Sequence, residues 1–196
     1  TASIGSIKID CRQDGTKLSH KNRAGYVFNT TIAGIERADA CLIIGANTRR
    51  EAPIINARLR KRYLMGGFKV GLIGQEVDLT FTHDNLGSGT DTLSKIAEGK
   101  HKFSKVLKKA KRPMLILGQG ALTRSDGAAV LATARHIAEQ YDLIQSDWNG
   151  FNILHTAAAR VGGLDLGIVT KGGVASILDE CNSGSVKVVY LLGADE

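Results

Sequence analysis

Four stretches of this sequence are apolar without interruption and close on glycine: Ala40-Cys41-Leu42-Ile43-Ile44-Gly45, Val70-Gly71-Leu72-Ile73-Gly74, Met114-Leu115-Ile116-Leu117-Gly118 and Val188-Val189-Tyr190-Leu191-Leu192-Gly193. A strand with one wet face alternates apolar and polar residues. An unbroken run of Ile, Leu and Val is what a strand needs when helices cover both of its faces, as in a parallel sheet. The closing glycine lets the chain turn sharply, or lets backbone or ligand come close at the carboxyl end of the strand.

Between these runs the apolar period lengthens. Ala52, Ile55, Leu59 and Tyr63 recur at helical spacing, with Arg58, Lys61 and Arg62 on other faces. Thr48-Arg49-Arg50-Glu51 has the form of a capping box and starts that helix at Thr48; Pro53 belongs in a first turn and favours a start a residue or two later. Phe103, Val106, Leu107 and Ala110 make an apolar stripe on a lysine-rich helix. Gly127, Val130, Leu131, Ala134, Ile137 and Ala138 trace a third helix with Ser125 as N-cap, and Leu154, Ala157, Ala158 and Val161 a fourth.

Strand and helix in alternation predict an α/β fold, a doubly wound, Rossmann-like and mostly parallel sheet with helices on both faces. That domain is expected to span 39–196, with 1–38 an incomplete amino-terminal segment. The last expected strand runs into Ala194-Asp195-Glu196 with no helix to cover it, so the whole reads as an excised piece of a larger fold.

Composition narrows the class. Of 196 residues, 43% are hydrophobic and 23% charged, which excludes a disordered chain. No apolar run reaches the roughly 18–20 residues of a membrane span. The first residues lack the basic-then-apolar layout of a signal peptide, so a soluble, intracellular piece is expected. The net charge of +7 is local: stretches 49–62 and 100–112 hold 13 of the 26 Lys and Arg and a single acid, Glu51. Lysines on an outer helix face are ordinarily just solvated. As a binding partner, an acidic protein neighbour fits them better than nucleic acid, because neither stretch interleaves aromatics for stacking.

Candidate chemistry sits at the carboxyl ends of the strands, where open α/β sheets bind ligands. There the sequence offers Gly45, Asn47, Gly74, Gly118 and Gly193 as a pocket. Close packing alone also accounts for these glycines. Thr123 stands where the third glycine of a dinucleotide fingerprint would be, and no phosphate-binding G-x-x-x-x-G-K-[ST] loop is present. Cys11, Cys41 and Cys181 are isolated, and Cys41 lies in an apolar run as a buried, inert thiol. None of the five histidines has ligand-like spacing; His155, beside an apolar stripe, reads as a packed or capping residue. Trp148 is expected as an anchor under a loop. No catalytic centre and no metal site emerge.

The ordered motifs Asn29-Thr30-Thr31-Ile32-Ala33-Gly34, Gly45-Ala46-Asn47-Thr48-Arg49-Arg50-Glu51-Ala52-Pro53 and Asn56-Ala57-Arg58-Leu59-Arg60-Lys61 resemble the large iron–sulfur subunit family of respiratory complex I, an NADH–quinone oxidoreductase. The likeness lies in its carboxyl-terminal, molybdopterin-oxidoreductase-like region. It continues through Val77-Asp78-Leu79-Thr80, Asp126-Gly127-Ala128-Ala129, Asn152-Ile153-Leu154-His155 and Leu191-Leu192-Gly193-Ala194-Asp195, and covers nearly all of 25–196.

The resemblance implies a parent with 4Fe–4S and 2Fe–2S clusters held by cysteine-rich domains upstream. Its partners would be other peripheral-arm subunits and those upstream domains, at the cytoplasmic face of a bacterial inner membrane or on the matrix side, with no nucleic acid and no membrane insertion. Catalytic relatives bind a molybdopterin dinucleotide near a Gly-x-Asn turn, matched by Gly45-Ala46-Asn47, and often carry an Asp-Pro-Arg-like segment where this chain has Gly74-Gln75-Glu76-Val77. The expectation is a cofactor-free structural domain in which Asn47→Ala leaves stability nearly unchanged.

The rival is a nucleotide- or pterin-binding domain using the strand-end residues. The run Arg112–Ala121 also looks like the middle domain of thiamine-diphosphate enzymes, which favours that rival. A nucleic-acid-binding module is the third reading.

Overall fold

In the computed structural model, which describes Gly5 and residues 8–193, the first apolar run forms β1 (Ala40–Ile44) at the centre of a five-stranded sheet. All five of its residues are buried. After β1 come α1 (Thr48–Glu51), α2 (Pro53–Leu64), β2 (Lys69–Ile73), β3 (Asp84–Gly87), α3 (Thr90–Ala97) and α4 (Lys102–Lys109). Then follow β4 (Pro113–Leu117), α5 (Gln119–Leu122), α6 (Gly127–Gln140), β5 (Phe151–Ile153), α7 (Arg160–Asp165) and α8 (Gly173–Asn182). The strand order is β3-β2-β1-β4-β5 and every pairing is parallel, with Ala40 opposite both Lys69 and Pro113.

Side-chain alternation along β1 builds two cores. Ala40, Leu42 and Ile44 face a layer from α3, α4 and α6; Cys41 and Ile43 face Ile55 and Leu59 of α2. Helices thus cover both faces, as the unbroken apolar runs require. In β2, a Cβ on Gly71 would stand 2.8 Å from the ring of Phe103, so the glycine makes room for the largest fully buried side chain. Replacing Phe103 with alanine would cost about 3–5 kcal/mol.

The connection from β2 to β3 uses no helix. Residues 74–83 cross the α2 face as irregular chain, with Leu79 buried and Asn56 Nδ2 donating to Leu79 O at 2.9 Å. Residues ahead of β1 also join the core: Leu18 and Tyr26 pack with the α6 layer, Ile35 and Ala38 with the α2 layer.

Four local expectations need correction. Residues 188–192 form no strand; Val188, Tyr190, Leu191 and Leu192 are each more than 70% exposed and pair with no sheet edge. The helix expected from Leu154 begins only at Arg160, because Leu154 still follows the sheet, its N–H donating to Leu117 O at 2.9 Å. Asp126, not Ser125, precedes α6, and it makes no side-chain cap bond. The two competing start signals near Thr48 and Pro53 each open a helix: α1 begins at Thr48 and breaks at Ala52, and Pro53 is the first residue of α2.

Candidate functional site

The strand order reverses between β1 and β4, and a cleft of about 380 Å³ opens at the carboxyl ends of β1 and β2, beside the turn after β4. Gly45, Asn47 and Gly74 line it, together with Glu51, Gln75, Ser88–Thr90, Gly120 and Arg124 above an apolar floor of Ile44, Ile73, Leu93 and Val130. Gly45 follows β1 at φ +58°, a left-handed conformation, and a Cβ there would stand 2.6 Å from that of Ala121. Glycine is needed twice over at this position.

Gly118 does not line the cleft. Its N–H donates to Ile44 O at 2.9 Å, and a Cβ on it would fall 2.4 Å from Gly45 O. The turn after β4 is therefore pressed directly onto the turn after β1. Gly193 lies outside this group, in the exposed tail, with nothing within 4 Å of where its Cβ would be.

Asn47 acts as a cap. Its side chain accepts from Arg50 N–H, and its own N–H donates to Glu51 Oε1 at 2.6 Å. The other carboxylate oxygen, Glu51 Oε2, is buried without a hydrogen-bond partner among the described residues. Thr48, the expected cap, instead donates its hydroxyl to Asn56 Oδ1 at 2.8 Å. The N-terminus of α3 opens on the cleft at Thr90, capped only by Gly89, which contributes no side-chain bond. Arg124, the one cation on the wall among the described residues, is tied to Asp126 by two hydrogen bonds of 2.7 and 2.9 Å.

Glu51, Ser88–Thr90 and Arg124 were missing from the sequence-derived set. Glu51 carried a signal, the capping-box spacing, but its partner is one residue earlier than the pattern names. Ser88–Thr90 follow a strand, Asp84–Gly87, whose only buried residue is Leu86, so no apolar run announced them.

Among the described residues neither a histidine nor a cysteine lines the cleft, and Glu51 is its only carboxylate. His155 is held elsewhere, its Nε2 2.5 Å from Tyr26 O, as a packed residue would be. That carbonyl requires the proton on Nε2. Burial pushes its pKa below the ordinary histidine value. His101 caps α4, Nδ1 accepting from Phe103 N–H at 3.1 Å. Cys41 is fully buried and its thiol pKa is pushed far up by burial, which leaves it inert. Among the described residues no group of three or more His, Cys, Asp or Glu is arranged to hold a metal ion.

At the opposite end of β4, Trp148 is 5% exposed and donates from Nε1 to Pro113 O at 2.8 Å, with the Arg37 guanidinium 5.6 Å from its ring. It is the anchor the sequence predicts, beneath a shallow cavity lined by Asn29–Thr31, Arg37 and Asp147.

The amino-acid sequence has relatives among known proteins. The molybdopterin oxidoreductase family matches residues 1–196. The chain is 43% identical over 195 residues to the NADH-ubiquinone oxidoreductase 75 kDa subunit of Reclinomonas americana. It is 42% identical over 193 residues to the mitochondrial NADH dehydrogenase (ubiquinone) iron–sulfur protein 1 of Solanum tuberosum, and 42% over 193 residues to a subunit of the NADH-quinone oxidoreductase of Rickettsia bellii. Each alignment takes in 98% of the chain but only 28%, 25% and 27% of the respective relative, so the chain spans about a quarter of their length.

Proposed function

The chain belongs to the molybdopterin oxidoreductase family, and on that premise we propose that it is a non-catalytic, cofactor-free packing domain of the large iron–sulfur subunit of an NADH–quinone oxidoreductase. The observation that carries this reading is the closed junction between the ends of β1 and β4. In an open α/β sheet, ligands enter the crevice at the strand reversal. Here the turns after β1 and β4 are pressed together, with Gly45 packed against Ala121 and no room for a Cβ on Gly118, so the crevice is narrowed to the cleft beside them.

A pterin dinucleotide does not fit what remains. The cleft, about 380 Å³, is at the small end of the roughly 300–1,000 Å³ range of ligand pockets. A diphosphate there needs donors and cations. Glu51 instead lines the cleft with a carboxylate, and Arg124 is already paired with Asp126. A pterin or nucleotide would meet repulsion at the turn after β1.

In this reading the parent moves electrons from NADH to quinone through iron–sulfur clusters held outside residues 1–196, and the domain packs against those cluster-bearing parts and other peripheral-arm subunits at the cytoplasmic or matrix face. Among the described residues no helix is long and apolar enough to cross a membrane.

A native mass spectrum tests the reading. The expected mass is that of the bare polypeptide, 20.9 kDa. A stoichiometric adduct of nucleotide or pterin size would overturn it, as would NADH oxidation above buffer with an artificial acceptor.

A further inference from the structure

The two basic stretches are used in opposite ways. Along α1 and α2 the cations bind the chain itself. Arg49 pairs with Asp78 at 2.5 Å, Arg58 and Lys61 both engage Glu36, Arg60 donates to Thr80 O at 3.1 Å, and Arg62 donates to Ala38 O and Gly66 O. Among the described residues of this stretch only Arg50 is left over. On α3, α4 and the turn beyond, Lys95, Lys102, Lys105, Lys108, Lys109 and Lys111 are all exposed, and none of their ammonium groups meets an acid or a carbonyl among the described residues.

These lysines share one surface. Phe103 and Leu107 are buried and Ser104 Oγ donates to Ile96 O, which fixes the rotation of α4 and turns Lys102, Lys105 and Lys109 outward together. Lys95 joins them because its carbonyl accepts the N–H groups of Lys100 and His101 as the chain enters α4. The pKa of His101 is depressed by burial first and then by Lys102 and Lys95, which both face it. Like charges at helical spacing repel, so this face weakens the isolated helix.

We propose that the lysine face of α3 and α4 docks an acidic protein surface, which deepens the packing-domain reading and rests on it. Charge complementarity selects the occupant. The face carries no exposed aromatic on which a base could stack. The apolar side of α4 is spent inside the core, leaving nothing to insert into a lipid surface.

The test uses the full-length subunit within its oxidoreductase. A Lys102→Glu/Lys105→Glu/Lys109→Glu variant is compared with Lys17→Glu/Lys21→Glu/Lys171→Glu, which makes the same change of charge elsewhere. The first is expected to lower incorporation into the assembled complex roughly tenfold without lowering the melting temperature, the second by less than about twofold. Lys105→Gln/Lys109→Gln, which removes charge without reversing it, should give a smaller loss in the same direction.

Equal incorporation of the first variant and wild type, or equal loss in both triple variants, would overturn the inference. So would tighter binding of the wild-type subunit to phosphatidylglycerol vesicles or to single-stranded DNA than to poly-L-glutamate. Absence of the wild-type subunit from the complex would instead overturn the packing reading itself.

Discussion

The backbone N–H of Asn47 donates to the Glu51 carboxylate at 2.6 Å, while Asn47 Oδ1 accepts from Arg50 N–H at 3.3 Å, so the two residues close the first turn of α1 from both ends. These bonds argue against the expectation that Asn47→Ala leaves stability nearly unchanged. Loss of the cap should cost about 1 kcal/mol, seen as a fall of roughly 2–4 °C in melting temperature. Asn47→Ser, which keeps a capping oxygen, should recover most of it. Equal melting of the alanine variant and wild type would show that the cap contributes nothing.

Gly118→Ala and Gly162→Ala should move stability in opposite directions. At Gly118 a methyl group would stand 2.4 Å from Gly45 O and 2.6 Å from Ala46 Cβ, where backbone cannot yield. Urea denaturation should show a loss of about 3 kcal/mol. At Gly162, within α7, nothing lies within 4 Å of a Cβ, and alanine should add about 0.5–1 kcal/mol by restricting the unfolded chain. A tolerated Gly118→Ala would mean that the β1–β4 junction is looser than the closed crevice demands.

Asn152 ties the residues before β1 to the sheet. Its Oδ1 accepts from Thr30 N–H at 2.8 Å, and its Nδ2 lies within 3.1 Å of Thr30 Oγ1, Gly150 O and Leu115 O. Asn152→Ala strands buried partners at a cost of about 1–3 kcal/mol. In hydrogen exchange the Thr30 amide should be protected in the wild type and lose protection in the variant. Free exchange at Thr30 in the wild type would show that 1–38 behaves as a separate segment.

The central strands were legible because burial on both faces leaves a signature that needs no context. Val188–Leu192 shows the limit of that signature: a run of the same character lies exposed, since an apolar run becomes a strand only when it pairs with a sheet edge, and this one pairs with none among the described residues. The two edge strands were silent for the converse reason. Asp84–Gly87 buries only Leu86 and takes its place from backbone bonds to β2, and Phe151–Ile153 is too short to show a period. At the site, Gly45 and Gly74 were readable as strand ends. The cleft-lining roles of Glu51 and Ser88–Thr90 depend on which loops meet across the sheet, and local spacing does not encode that.

His155 gives the fold a pH dependence whose sign follows from its surroundings. Burial, the largest influence, lowers its pKa; the bond to Tyr26 O raises it, and nearby Arg160 and Asp14 act in opposite directions, leaving it below the ordinary value. The unfolded chain, with a histidine pKa near ~6.5, then binds more protons than the folded one just below that pH. Stability from this residue is complete above the unfolded pKa and is lost as pH falls toward the folded one. His155→Gln, whose amide can still donate to Tyr26 O, should be less sensitive to acid between about pH 7 and pH 5. Urea midpoints at three pH values check this, read as the difference between variant and wild type because His101 is shifted in the same direction. Parallel pH profiles for the two proteins would show that His155 does not carry the dependence.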